Sequence, residues 1–245
     1  WKRPIYYAVT IGSDGYIGLE NYFQAEGLAY RLVPVKAVKN DGQPGRVGTD
    51  PMYDNMMNKF VWGNMADPRV YLDQNNLNMT MNLRFNFARL ADALLEEGKR
   101  DSSIKALDKC LEVMPDKTVP YNLSCLRLIE VYYRNGLAAQ QIDSAASANT
   151  DVEKMRLSAK ACFDKGNVIA KRLAEITADD LNYYFSLSGT DFFPNVEREM
   201  NQSMAVFMEL QRLTRLSGQK DITEDMEGRF KKLEQRYMQN NPQSN

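Results

Sequence analysis

Apolar positions along the chain change period near residue 80. Before that point they come in short runs broken by turn residues; beyond it they recur every three or four residues. Pro4 to Thr10, rich in Tyr, Ile and Val, predicts a strand, and Ser13-Asp14-Gly15 a turn. Leu19, Tyr22, Phe23 and Glu26 fall at i, i+3, i+4 and i+7, with Gly27 where a helix-ending glycine belongs, so the spacing predicts a helix there. A second short strand is expected over 29–35, with Pro34 confining it to a strand end or edge. A loop follows over Asn40 to Gly45. Asp50-Pro51 then opens a helix with Met52, Met56 and Phe60 on one face, and Asp67-Pro68 and Asp73 to Asn76 punctuate the chain beyond it.

The helical part begins with Leu83, Phe87, Leu90 and Leu94 on one stripe, ended by Gly98. Asp101 is placed to cap the next helix, whose stripe is Ile104, Leu107, Leu111 and Met114, stopped by Pro115. Together these make a hairpin of about 34 residues, the tetratricopeptide period. Its expected core is Phe87, Leu90, Leu94, Leu107, Cys110 and Leu111. A degenerate second unit starts with Cys125, Leu128, Ile129 and Tyr132, with Gly136 standing where Gly98 stood.

An insertion near 137–163 delays the second helix of that unit. Periodicity then runs through Ile169, Leu173 and Ile176, with Gly166-Asn167 as a break or kink. Asp179-Asp180 precede a short helix in which Tyr183, Tyr184 and Phe185 cannot all face inward. Asn195 is positioned to cap a helix ending at Gly218, and Asp221 with Glu224 forms a capping-box pattern for the last one. The fold expected is mainly α: tetratricopeptide-like hairpins in a solenoid or bundle, with a small N-terminal α+β segment. Its parts are a mixed segment over 1–78, a helical-repeat domain over 79–240 and a frayed tail over 241–245.

Composition removes chemistry from this picture. The chain has 31 basic and 32 acidic residues, hence a net charge of -1 and no basic footprint for nucleic acid. No apolar run is long enough for a transmembrane segment. It has no histidine, which excludes Ser-His-Asp and Cys-His catalysis and His-based zinc sites. Cys110, Cys125 and Cys162 lack CxxC spacing and read as buried packing residues, a Cys110–Cys125 bridge being the alternative. Neither a catalytic residue, a metal site nor a cofactor is expected. No Met opens the chain, which fits a segment of a longer polypeptide.

Several stretches carry a family resemblance. GLENYFQAEGLAYRLVPV at 18–35, MYDNMMNKFVWG at 52–63, YLDQNN at 71–76 and MNLRFNFARLADALLEEGK at 81–99 do so, followed by VMPDKTVPYN and DDLNYYFSL. They resemble a family of large multi-pass membrane proteins, common in Bacteroidetes. That family is glycosyltransferase-like and similar to the eukaryotic transmembrane O-mannosyltransferases that modify plexin-type domains. The resemblance implies a non-catalytic C-terminal module lying after the last membrane span. It would be periplasmic or extracytoplasmic and tethered to the inner membrane, with the chemistry in the membrane-embedded half. Its implied partners are that half and an acceptor protein. The alternative is a free-standing glycan-binding helical-repeat protein. The residues expected to bind lie along the polar edge of residues 18–34: Glu20, Asn21, Tyr30 and Arg31.

Overall fold

A computed structural model describes residues 3–37, 42–145 and 150–240, without the side chains of 142–145, 150–157 and 239–240. Asn40 and Asp41 of the expected loop, the middle of the expected insertion and the expected frayed tail lie outside the described residues. The protein is mainly α, with seven α-helices and a small N-terminal sheet among the described residues. It divides into two compact units, Trp1–Pro120 and Tyr121–Asn245.

The first unit opens on a four-stranded sheet of β1 (Tyr6–Ala8), β2 (Phe23–Ala25), β3 (Ala29–Leu32) and β4 (Arg46–Val47), in the order β1-β3-β2-β4. β3 pairs antiparallel with both β1 and β2, while β2 pairs parallel with β4. The helix expected over 19–26 is absent: only Glu20–Tyr22 makes a 3-10 turn, and the chain then extends into β2. Two periods competed for the same residues, and the two-residue alternation of Phe23, Gln24, Ala25 and Glu26 won. It places Phe23 and Ala25 in the core, Phe23 being packed against Tyr7, Tyr16 and Tyr30 at centroid distances of 4.7, 5.4 and 5.5 Å. Tyr22, expected inside, is exposed.

Gly27 ends no helix; it turns β2 into β3 at φ 118°, with Phe60 where a Cβ would stand. Gly45 (φ 67°) admits the β2–β4 pairing, because a Cβ there would lie 2.0 Å from the Phe23 carbonyl oxygen. Both demands exclude other side chains.

Helix α1 (Thr49–Asp54) runs directly into a π-turn, Asn55–Lys59, and buries Met52 and Met56. Asp73 is the N-cap of α2 (Gln74–Glu96), its carboxylate accepting from the Asn76 N–H at 2.8 Å. The residues expected to punctuate the chain therefore start its helix. α3 (Arg100–Val113) packs back on α2 after Gly98. Its N-cap is Lys99, so Asp101 sits inside the first turn and not at the cap. Phe87, Leu90, Leu94, Leu107 and Cys110 are buried, and Trp62 lies tilted against Phe87 with ring centroids 5.0 Å apart. Leu111 is only half-buried.

Arg84 threads this core. It is fully buried on α2, and its guanidinium donates to the carbonyls of Met114, Val119 and Pro120, closing the turn after α3. A buried charge is tolerable only when so hydrogen-bonded.

The second unit is four helices: α4 (Cys125–Ala145), α5 (Thr150–Ser186), α6 (Phe193–Leu216) and α7 (Lys220–Asn240). Gly136 does not end α4, nor does Gly166-Asn167 break α5; Asp179-Asp180 lie inside α5 as well. Both glycines are packing positions. A Cβ on Gly136 would stand 2.7 Å from the Phe163 ring, and one on Gly166 2.6 Å from the Tyr133 ring. Each helix thus offers a glycine to the other's aromatic ring, and the expected insertion is mostly helix. Asn195 does not cap α6, which starts at Phe193 with Pro194 in its first turn. α7 starts at Lys220 with Asp221 already inside it. Phe185 is buried against Tyr237 at 4.9 Å, whereas Tyr183 stays exposed. Cys110, Cys125 and Cys162 are buried thiols, and none of the three is in a disulfide.

Candidate functional site

The sheet has two unlike faces. One is the aromatic core just described. The other follows from the register, since Tyr6 lies opposite Arg31, Arg31 opposite Gln24, and Gln24 opposite Arg46. Side chains in register on neighbouring strands share a face, so these four form a polar row across all four strands.

Glu26, two residues beyond Gln24, joins that row and is only 7% exposed. Its carboxylate accepts from the Tyr6 hydroxyl at 3.2 Å and from the Gln24 amide at 2.8 Å. The Arg31 guanidinium stands 3.7 Å away, an ion pair without a hydrogen bond. Arg46 donates to the Gln24 side-chain oxygen at 2.6 Å. Gln24 is therefore a fixed spacer, donating to Glu26 on one side and accepting from Arg46 on the other. From α1's continuation Asn55 donates to the Glu26 carbonyl at 2.8 Å, and from α2 Asn86 donates to the Gly27 carbonyl at 2.9 Å. These bonds fasten the β2–β3 turn to the helices.

Of the four residues expected to bind, the fold brings only Arg31 to this row. Glu20 and Asn21 lie in the 3-10 turn before β2, Asn21 exposed and its carbonyl accepting from the Ala37 N–H at 2.7 Å. Tyr30 is buried on the opposite face against Phe23. Tyr6, Gln24, Glu26 and Arg46 were not among the expected residues. The signal for two of them was present, because a period of two puts Gln24 and Glu26 on the face opposite Phe23. Arg46 gave no such signal, since its strand is only two residues long.

The second unit has a cleft of about 560 Å³ bordered by Asp164, Asn167, Lys171, Gln219, Lys220 and Asp221. Two of its lining residues belong to a hydrogen-bond chain: the Tyr133 hydroxyl donates to Asn167 at 2.8 Å, and the Asn167 amide donates to Gln219 at 2.8 Å. Burial pushes the Tyr133 phenol far above its ordinary pKa, so it is neutral and serves as a donor. The charges around the cleft are mixed, and Asp164 is already paired with Lys160 at 2.5 Å. Among the described residues no group of three or more His, Cys, Asp or Glu converges to hold a metal. No helix among them is long and apolar enough to cross a membrane.

Fold and site together define a mainly α chain that carries a small sheet with one polar, partly exposed face. A family model described as TMEM260-associated domain 2 matches residues 1–51, the span that contains all four strands. Over that segment the chain fits a TMEM260-like family, whose relation to O-mannosyltransferases agrees with the resemblance noted above. No curated protein and no solved structure matches the chain.

Proposed function

We propose that this chain is a non-catalytic companion module of a TMEM260-like, membrane-embedded glycosyltransferase of the Bacteroidetes kind, held on the periplasmic side of the membrane. In this reading the N-terminal segment, about residues 1–78, docks to the membrane half or to an acceptor protein. The helical part over 79–240, with α2–α3 as a tetratricopeptide-like hairpin, carries it. The observation behind the proposal is the coincidence of the family match at 1–51 with the complete sheet and its polar row. The row also lacks what glycosyl transfer asks of a base. Glu26 is the carboxylate at its centre, and it is buried and occupied by Tyr6 and Gln24, leaving no open approach for an acceptor hydroxyl.

The test is photo-crosslinking in the full-length protein in membranes. A photoreactive residue at Tyr6 or Asn21 should give a crosslink to the membrane half or to a second protein, and one at Glu234 on α7 should not. Equal labelling from all three positions would refute docking through the sheet.

A further inference from the structure

The first unit holds arginines of two kinds. Arg84 and Arg89 are structural: both are buried, Arg84 donating to three carbonyls and Arg89 to those of Pro44 and Gly45 at 2.9 and 3.1 Å. Arg31 and Arg46 are not used in this way. Arg46 is exposed and spends one donor on Gln24, while the Arg31 guanidinium donates no hydrogen bond among the described residues and only pairs with Glu26 at 3.7 Å. Glu26 does not need Arg31 for its hydrogen bonds, which Tyr6 and Gln24 already supply. A guanidinium offers five N–H donors in a planar fork suited to carboxylates. Most of the donors on this pair are thus left for something outside the unit.

We propose that the Arg31–Gln24–Arg46 row binds an extended, acidic polypeptide segment through its carboxylates. The inference rests on the reading of this sheet as the docking face and adds the chemistry of what docks there. Charge supports it, since two guanidiniums face one carboxylate and the row keeps an uncompensated positive charge beside a neutral spacer.

Spacing supports it as well. Arg31 and Arg46 sit on strands separated by β2, so their backbones are about 10 Å apart, while acidic residues at i and i+2 of an extended segment are about 7 Å apart. Long arginine and glutamate side chains close that difference. The row also ends at the half-exposed ring of Tyr6 on edge strand β1. An occupant must therefore bring apolar groups together with carboxylates. An extended polypeptide with acidic residues at i and i+2 and an apolar residue at i+4 presents all three on one face, whereas a chain of uronic acids repeats its carboxylates without a separate apolar side chain.

The probe is a fluorescent eight-residue peptide in which Glu, Glu, Val and Val occupy alternate positions with Ser between them, titrated into the intact chain and followed by anisotropy. Saturable binding is expected, weakened about tenfold or more by Arg31→Gln or by Arg46→Gln, because a charge-assisted pair is lost in each. Arg→Lys at either site should restore it only in part, since the ammonium keeps the charge and loses the fork. Both side chains are outside the core, so far-ultraviolet circular dichroism should show parent and variants equally folded. Absence of saturable binding, equal binding by parent and both Gln variants, or tighter binding of an oligogalacturonate than of the peptide would each overturn the inference. Its failure is separable from that of the docking reading. Crosslinks from Tyr6 in the full-length protein, combined with a peptide indifferent to both arginines, would leave docking standing and remove the acidic segment. Peptide binding without crosslinks would do the reverse.

Discussion

Consider what a single methyl group does at Gly136. In most helices replacing a mid-helix glycine by alanine stabilises, by roughly 1 kcal/mol, because alanine restricts the unfolded chain. Gly228 on α7 supplies the reference, since no atom outside its own helix stands within 4 Å of where its Cβ would be. Gly228→Ala should therefore gain about 1 kcal/mol. At Gly136 the new methyl meets the Cζ, Cε1 and Cε2 atoms of Phe163 at 2.7, 2.8 and 2.9 Å. Overpacking of that kind costs about 1–3 kcal/mol, which exceeds the propensity gain, so Gly136→Ala should lose up to about 2 kcal/mol net. Phe163→Leu removes those three ring atoms. In that background Gly136→Ala should become neutral or stabilising, a coupling of about 1–3 kcal/mol between residues on two helices. Urea unfolding followed by circular dichroism at 222 nm, with the slope held common across the four proteins, reads the cycle directly. If Gly136→Ala stabilises as much as Gly228→Ala does, α4 and α5 are not in the close approach described.

Three further perturbations test other parts. Phe87→Ala should destabilise the first unit by about 3–5 kcal/mol, since its ring is fully buried beside Trp62, and an unchanged thermal midpoint would count against the α2–α3 core. Arg84→Met should cost about 3 kcal/mol or more by stranding the carbonyls of Met114, Val119 and Pro120; chemical denaturation showing no loss would mean the turn after α3 is held by something else. Tyr133 makes an alkaline prediction. Its phenol loses a proton less readily folded than unfolded, so its stabilisation is intact below the unfolded value of 10.0 and is lost as pH rises above it. Absorbance at 295 nm should show a tyrosine component that ionises only with unfolding, and Tyr133→Phe should reduce that component.

Long stripes were the legible part of this fold. Leu83 to Leu94 placed α2, because a period sustained over three turns has few alternatives, and the buried Phe87 and Leu90 follow from it. Short segments misled. Residues 19–26 satisfy both a helical and an alternating pattern, and only the arrival of β3 and β4 from 29–32 and 46–47 decides between them. Glycines misled differently. Gly98 and Gly218 do end helices, with positive φ, while Gly136 and Gly166 exist to admit a ring from a helix some 30 residues distant in sequence, as the Gly136–Phe163 approach shows. Local context is the same in both cases. The polar row was illegible for a related reason: Tyr6, Gln24, Arg31 and Arg46 come from four strands, and no spacing rule relates them.

The continuity of α5 has a mechanical consequence. At about 1.5 Å per residue, a 37-residue helix is a rod of roughly 55 Å, and this one runs alongside α4, α6 and α7. Helices that each had their own short partner could open in turn. With one shared strut, opening either hairpin means uncovering part of the same apolar stripe, so amide exchange along the described core of α5 should share one high free energy, with protection falling only in its last turns. The second unit would then resist pulling or partial proteolysis as a single body up to the limit set by its whole stability.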